Sequence, residues 1–237
     1  MRIGLVTADA TEAARMRRLL RADSRQTLIW IASNEKEAIG RMREDPPDAL
    51  LLSQNCGTPP ASIVKSIMRS TPCPIVLITQ SIDANAATIF DALGAGAIDV
   101  LPLTDEMDDR AAEAALNSKL RVMRSLSRAQ PKQPEAVRKT SNGKFGRLVL
   151  LGASAGGPAA LANVLAALPE NFPAPVIIVQ HLDQQFAAEL TSWLAQQARL
   201  PVRLARDNEV MQPGTIYMPG RDAHLVQVDR VVERLDE

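Results

Sequence analysis

Two side chains in this sequence have the right chemistry to cleave an ester or transfer an acyl group, Ser154 and His181. Ser154 lies in Gly152-Ala153-Ser154-Ala155-Gly156-Gly157, directly after the apolar run Leu148-Val149-Leu150-Leu151. A serine hydroxyl is a weak nucleophile until a base takes its proton, and imidazole, titrating near neutrality, is suited to that task. His181 follows a second apolar run, Val176 to Val179. If the two runs are neighbouring parallel strands, serine and histidine leave the sheet at the same carboxyl edge.

The elements around them must then be a strand, a tight turn and a helix. Leu161, Val164, Leu165 and Leu168 recur at helical spacing after the turn. The segment is a G-x-S-x-G elbow, in which small residues leave room for a strained turn and lift the hydroxyl clear of the sheet. Gly152, Ala155, Gly156 and Gly157 are expected to support the turn or the oxyanion, and the helix N-terminus favours developing negative charge. Taken singly, Ser154 reads equally well as a helix N-cap and His181 as a structural histidine. A dinucleotide fingerprint fails because Ser154 stands at the second glycine position. An ordinary α/β-hydrolase fails because its acid precedes its histidine.

Lys and Arg total 27, Asp and Glu 27, and this balance argues against a nucleic-acid binder, which draws on clustered cations. Aromatic residues are only 3%, so the cores rest on Ala, Leu, Ile and Val, which suits parallel α/β layers. Cys56 and Cys73 lie in no metal-ligand spacing, so no metal or other cofactor is expected. No stretch approaches the roughly 18 apolar residues of a membrane span, and the N-terminus has no apolar signal core; the expected location is the cytoplasm, without membrane insertion.

Strand and helix patterns alternate through the first half: strands at 3–6, 28–32, 49–52, 75–79 and 97–101, helices at 11–22, 35–43, 62–68, 86–93 and from 106 to about 123. Five β-α units predict a doubly wound parallel sheet over residues 1–123. Periodicity then vanishes. Residues 124–146, with Pro131, Pro134 and Gly143 among basic residues, read as a solvated linker, with an acidic docking partner as the weaker alternative. Residues 147–237 form the second domain. Its helix at 184–199 carries Phe186, Leu190, Trp193 and Leu194 on one stripe, so Trp193 reads as a core anchor. His224, in an alternating strand at 223–228, reads as structural.

The run Ala92-Leu93-Gly94-Ala95-Gly96-Ala97-Ile98-Asp99-Val100-Leu101-Pro102, with Pro47-Asp48 and Pro74 to Thr79, resembles a two-component receiver domain of flavodoxin-like fold. The resemblance implies an acidic pair after strand one, an aspartate phosphoacceptor ending strand three and a lysine after strand five. Those positions fall on Thr7 and Ala8, Ser53 and Leu103, and only Thr79 matches. Without the charge clamp that phosphoryl transfer needs, the domain is expected to be a degenerate receiver; phosphorylation at Ser53 or Asp9 is the alternative.

The elbow, Val179-Gln180-His181-Leu182, Phe186, Pro213-Gly214-Thr215-Ile216-Tyr217 and Pro219-Gly220-Arg221-Asp222-Ala223-His224-Leu225 together resemble the CheB-type methylesterases. Receiver, linker and esterase domain, in that order, is that family's architecture, and the first domain most resembles the branch serving surface-sensing, Wsp-type systems. The resemblance implies a Rossmann-like α/β catalytic domain, here partial, that hydrolyses glutamyl methyl esters on chemoreceptors and also deamidates receptor glutamines. Ser154 would be the nucleophile and His181 the general base, with methyl-accepting chemoreceptor cytoplasmic domains and a chemosensory histidine kinase as partners. Ala155 replaces the family's usual threonine. The family's third member, an aspartate in a Gly-Met-Gly-x-Asp-Gly segment, would lie beyond Glu237, and Asp183, Asp207 and Asp222 are unconvincing substitutes. The expectation is therefore a C-terminally incomplete enzyme, the alternative being a catalytically impaired form that binds or regulates a receptor array.

Overall fold

The computed structural model describes residues 1–81, 85–128, 147–180, 186–206, 209–220, 224–228 and 231–235. The chain divides into two compact units, Met1–Gln130 and Pro131–Glu237.

In the first unit, β1 (Arg2–Val6), β2 (Thr27–Ala32), β3 (Ala49–Ser53), β4 (Ile75–Thr79) and β5 (Asp99–Pro102) alternate with α1 (Ala10–Arg21), α2 (Glu35–Glu44), α3 (Pro60–Ser70), α4 (Ala86–Gly94) and α5 (Asp109–Arg128). The strands form one parallel sheet in the order β2-β1-β3-β4-β5, the doubly wound arrangement expected. Every residue of β3 and β4 is buried, as central parallel strands require when helices cover both faces. On one side Ile3, Leu5, Leu51, Val76, Ile78 and Leu101 pack with Met16, Leu19 and Leu20 of α1 and with Leu116, Leu120 and Met123 of α5.

Element ends depart from expectation for local reasons. The Asp108 carboxylate caps α5 by accepting the Ala111 amide at 2.7 Å, so this helix starts after the acidic cluster rather than at Glu106. It runs on to Arg128, into the stretch expected to be linker, because nothing before Pro131 breaks a helix. Ala97 belongs to the exit turn of α4, its amide bonded to the Ala92 carbonyl at 3.0 Å, and β5 begins only at Asp99.

The second unit contains β6 (Val149–Ala153), α6 (Gly157–Ala167), β7 (Val176–Gln180), α7 (Ala187–Gln197), β8 (Val202–Leu204), β9 (Glu209–Val210), β10 (Ile216–Met218), β11 (His224–Val228) and β12 (Val231–Leu235). A parallel sheet runs β6-β7-β10-β8, and β6 pairs with β7 in the register Val149↔Val176 through Ala153↔Gln180. Phe186, Leu190, Trp193 and Leu194 are all buried, so Trp193 is a core residue, as its stripe position predicts. Leu161 and Leu165 of α6 are buried as well, but Val164 is 45% exposed, contrary to the expected apolar stripe.

Not all of this unit is parallel. β11, β12 and β9 form an antiparallel sheet, in which Val231 pairs with both Val228 and Val210. β12 escapes a pattern-based reading because Glu233 and Arg234 interrupt its apolar residues.

Candidate functional site

The carboxyl ends of β1, β3, β4 and β5 bring Thr7, Ser53, Thr79 and Leu103 to one edge of the first sheet. A fifth participant, Glu12 on α1, reaches into that edge. Its carboxylate oxygen Oε2 accepts the Ser53 hydroxyl at 2.6 Å and the Thr7 hydroxyl at 2.7 Å. Burial pushes the Glu12 carboxyl above its ordinary range; the Ser53 and Thr7 hydrogen bonds oppose this, and the nearby Asp9 charge adds to it.

Asp9 and Glu12 have the spacing of a capping box, and Asp9 does cap α1, accepting the amides of Thr11 at 2.7 Å and Glu12 at 3.3 Å. In a capping box the glutamate would reach back to the Asp9 amide. Here that amide donates instead to Thr7 Oγ1 at 3.1 Å, which leaves Glu12 for Ser53. Sequence reading missed Glu12 because it lies on α1, away from the strand ends on which the receiver positions fall.

Most of the rest of the edge is satisfied in the same internal way, the buried Gln54 Nε2 having no hydrogen-bond partner among the described residues. Ser53 is 1% exposed, and its oxygen also accepts the Asn55 amide at 3.0 Å. Thr79 Oγ1 lies 2.6 Å from Gln54 Oε1 and 2.7 Å from the Ser81 carbonyl oxygen, so its one proton serves these in turn. Arg15 donates to the carbonyls of Thr104 at 2.9 Å and Met107 at 2.7 Å, holding the segment that follows β5. Leu103 is buried and offers no charge. A cavity of about 300 Å³ remains, lined by Asp9, Glu12, Arg15, Gln80, Leu103 and Asp105 among others.

In the second unit β6 ends at Ala153, an exposed Ser154 follows, and α6 starts at Gly157. The N-cap of α6 is Gly156, not Ser154, which removes the capping explanation for the serine. Gly156 has φ +75°, the left-handed region that favours glycine. The steric account expected for the elbow holds at only one glycine. A β-carbon at Gly152 would meet nothing within 4 Å among the described residues, whereas one at Gly157 would lie 2.8 Å from Gln180 Cδ and 2.9 Å from Ala153 Cβ.

The turn is held by two donors on one acceptor. The Ser154 carbonyl oxygen accepts the Gly157 amide at 2.7 Å and the Gln180 side-chain Nε2 at 2.9 Å. Ala155 sits in the turn between them. The arrangement presents a serine beside the amino end of an 11-residue helix, where partial positive charge stabilises an anion. His181, Asp183, Asp207 and Asp222 lie outside the described residues, and so does His224 as a side chain. The far end of the sheet is braced by Arg203, which pairs with Glu209 and lies 4.8 Å over the Tyr217 ring.

A family model described as CheB methylesterase matches residues 149–236. The chain is 40% identical over 230 residues to protein-glutamate methylesterase/protein-glutamine glutaminase 2 of Cupriavidus metallidurans, covering 95% of this chain and 68% of that protein. It is 37% identical over 230 residues to protein-glutamate methylesterase/protein-glutamine glutaminase 3 of Pseudomonas aeruginosa, covering 95% and 69%. Among solved structures, the Thermotoga maritima CheB methylesterase catalytic domain is 35% identical, over 39% of this chain and 52% of that one, with a TM-score of 0.36.

Proposed function

Since this chain belongs to the CheB-type protein-glutamate methylesterase/protein-glutamine glutaminase family, we propose that it hydrolyses glutamyl methyl esters, and deamidates glutamines, on the cytoplasmic domains of chemoreceptors. The observation that carries the reading is the register of β6 on β7. Ala153 pairs with Gln180 in parallel strands, and Ser154 and His181 are the next residues of each strand in sequence.

Ser154 Oγ attacks the ester carbonyl while His181 takes its proton, and methanol leaves with that proton, giving an acyl-enzyme on Ser154. Water, deprotonated by His181, attacks the acyl carbon and releases the glutamate carboxylate and the serine hydroxyl. A glutamine side chain follows the same course with ammonia as the leaving group. The amides of Ala155 and Gly156 are the candidate oxyanion donors, since that of Gly157 is given to the Ser154 carbonyl.

The first unit is a receiver-like regulator that works without aspartyl phosphate. The Glu12 network supports this: the acceptor position is a buried serine already committed to a carboxylate. Among the described residues no helix is long and apolar enough to cross a membrane, and we place the protein in the cytoplasm, with a chemosensory histidine kinase as a further partner.

The test is methanol release from methylated receptor cytoplasmic fragments by the chain and by Ser154→Ala. Release by the first and not the second is expected. Equal release from both would remove Ser154 as nucleophile, and no release from the folded chain would favour a binding protein over an enzyme. Incubation with a small phosphodonor and magnesium should leave the intact mass unchanged; an added phosphate would overturn the degenerate-receiver reading.

A further inference from the structure

Gln180 stands at the carboxyl end of β7 and sends its side chain across to the neighbouring strand's exit. Its Nε2 donates at 2.9 Å to the carbonyl oxygen of Ser154 itself. That oxygen already accepts the Gly157 amide at 2.7 Å, so one atom ties the turn to the helix start and to the adjacent strand. The site makes space for this tie. The side chain of Gln180 passes so close to Gly157 that any β-carbon there would overlap its amide. Gly157 and Gln180 therefore work as a matched pair, one lacking a side chain so that the other can reach.

A three-residue connection between a strand and a helix has few restraints, and an error of an ångström in a nucleophile is costly, about a hundredfold in rate. Main-chain pairing of β6 with β7 ends at Ala153 and Gln180. Beyond it the Gln180 amide is the added cross-strand restraint on Ser154, and His181 is the next residue in the chain after Gln180.

We propose that Gln180 is a positioning residue for Ser154, fixing the serine's main chain relative to the strand that precedes His181. The inference rests on the esterase reading for its catalytic consequence, but the hydrogen bond can be tested apart from it. Gln180→Met keeps the length and removes the donor, and Gln180→Glu keeps the shape and sets an acceptor against the Ser154 carbonyl. Loss of one such bond should speed amide exchange at the 154–157 turn by roughly tenfold, with the unfolding midpoint of the chain little changed. Methyl-ester hydrolysis should fall by roughly tenfold in kcat at unchanged KM, because placement and not substrate binding is lost.

Faster exchange in both variants, with the kcat loss, supports the proposal. Unchanged exchange at the turn overturns it whatever hydrolysis does, and a kcat equal to that of the parent overturns the positioning role even if exchange quickens. Hydrolysis that persists in Ser154→Ala removes only the esterase reading. If the parent chain releases no methanol, the exchange measurement decides alone.

Discussion

Replacing Glu12 with alanine tests whether the first unit is held by an internal carboxylate. The substitution takes the shared acceptor from two hydroxyls, Ser53 at 2.6 Å and Thr7 at 2.7 Å, both in buried residues. An unsatisfied buried polar group costs about 1–3 kcal/mol. Two offsets reduce the total. Each hydroxyl oxygen keeps an amide donor, Asn55 at 3.0 Å and Asp9 at 3.1 Å, and a carboxylate that is itself unfavourably desolvated disappears. The net expectation is a loss of about 1–3 kcal/mol for the pair together. The assay is urea unfolding of the full chain followed through Trp30, whose Nε1 donates to the Asp45 carbonyl at 2.9 Å. The chain has 2 tryptophans, so a Trp193→Phe background isolates the first unit. With a slope of about 1–3 kcal/mol per molar urea, the midpoint should fall by roughly 1 M. Glu12→Gln, which keeps one acceptor and the shape, should lose less than half as much. A midpoint for Glu12→Ala within about 0.2 M of the parent would refute the account.

Further outcomes follow from the same geometry. Burial raises the Glu12 carboxyl above its ordinary range, so just above that range the folded chain keeps a proton there that the unfolded chain has lost; read through Trp30, Glu12→Gln should gain stability relative to the parent as pH rises through that window, and a constant difference argues against the raised carboxyl. Burial pushes the Cys73 thiol up to about 12, so iodoacetamide at pH 8, followed by peptide mapping, should modify it roughly a thousandfold more slowly than a free cysteine; rapid modification of the folded chain argues against that environment. Gly156→Ala forces an L residue to φ +75° and should cost about 1–2 kcal/mol, read through Trp193 in a Trp30→Phe background. Leu190→Ala leaves a hole in a fully buried position of α7 and should cost about 2–5 kcal/mol by the same reading; a loss below about 0.5 would contradict the packing described.

The doubly wound parallel sheet of the first unit was legible because each strand is a continuous apolar run and each helix an interrupted one, the two periods that burial imposes. The strand, serine, helix succession at Ser154 was legible for the same reason. What sequence could not show are contacts made across the chain. Glu12 and Ser53 are far apart in sequence, and nothing in the position of Glu12 within a helix points to a strand end. Gly157 looks like one more turn glycine until Gln180 is seen beside it. Val164 obeys the helical period and is still exposed, since a period names a face and not how far its cover extends.

β6 lies at the margin of its sheet among the described residues, with Leu150 65% exposed on it and Val179 53% exposed beside it on β7. Its five residues, Val149 to Ala153, carry no charge to discourage another strand from pairing there. Folding of a single chain is first order in protein, whereas capture of one such margin by another is second order. Recovery of soluble protein on refolding should therefore decline as the starting concentration rises, and a lysine at position 150 should flatten that decline.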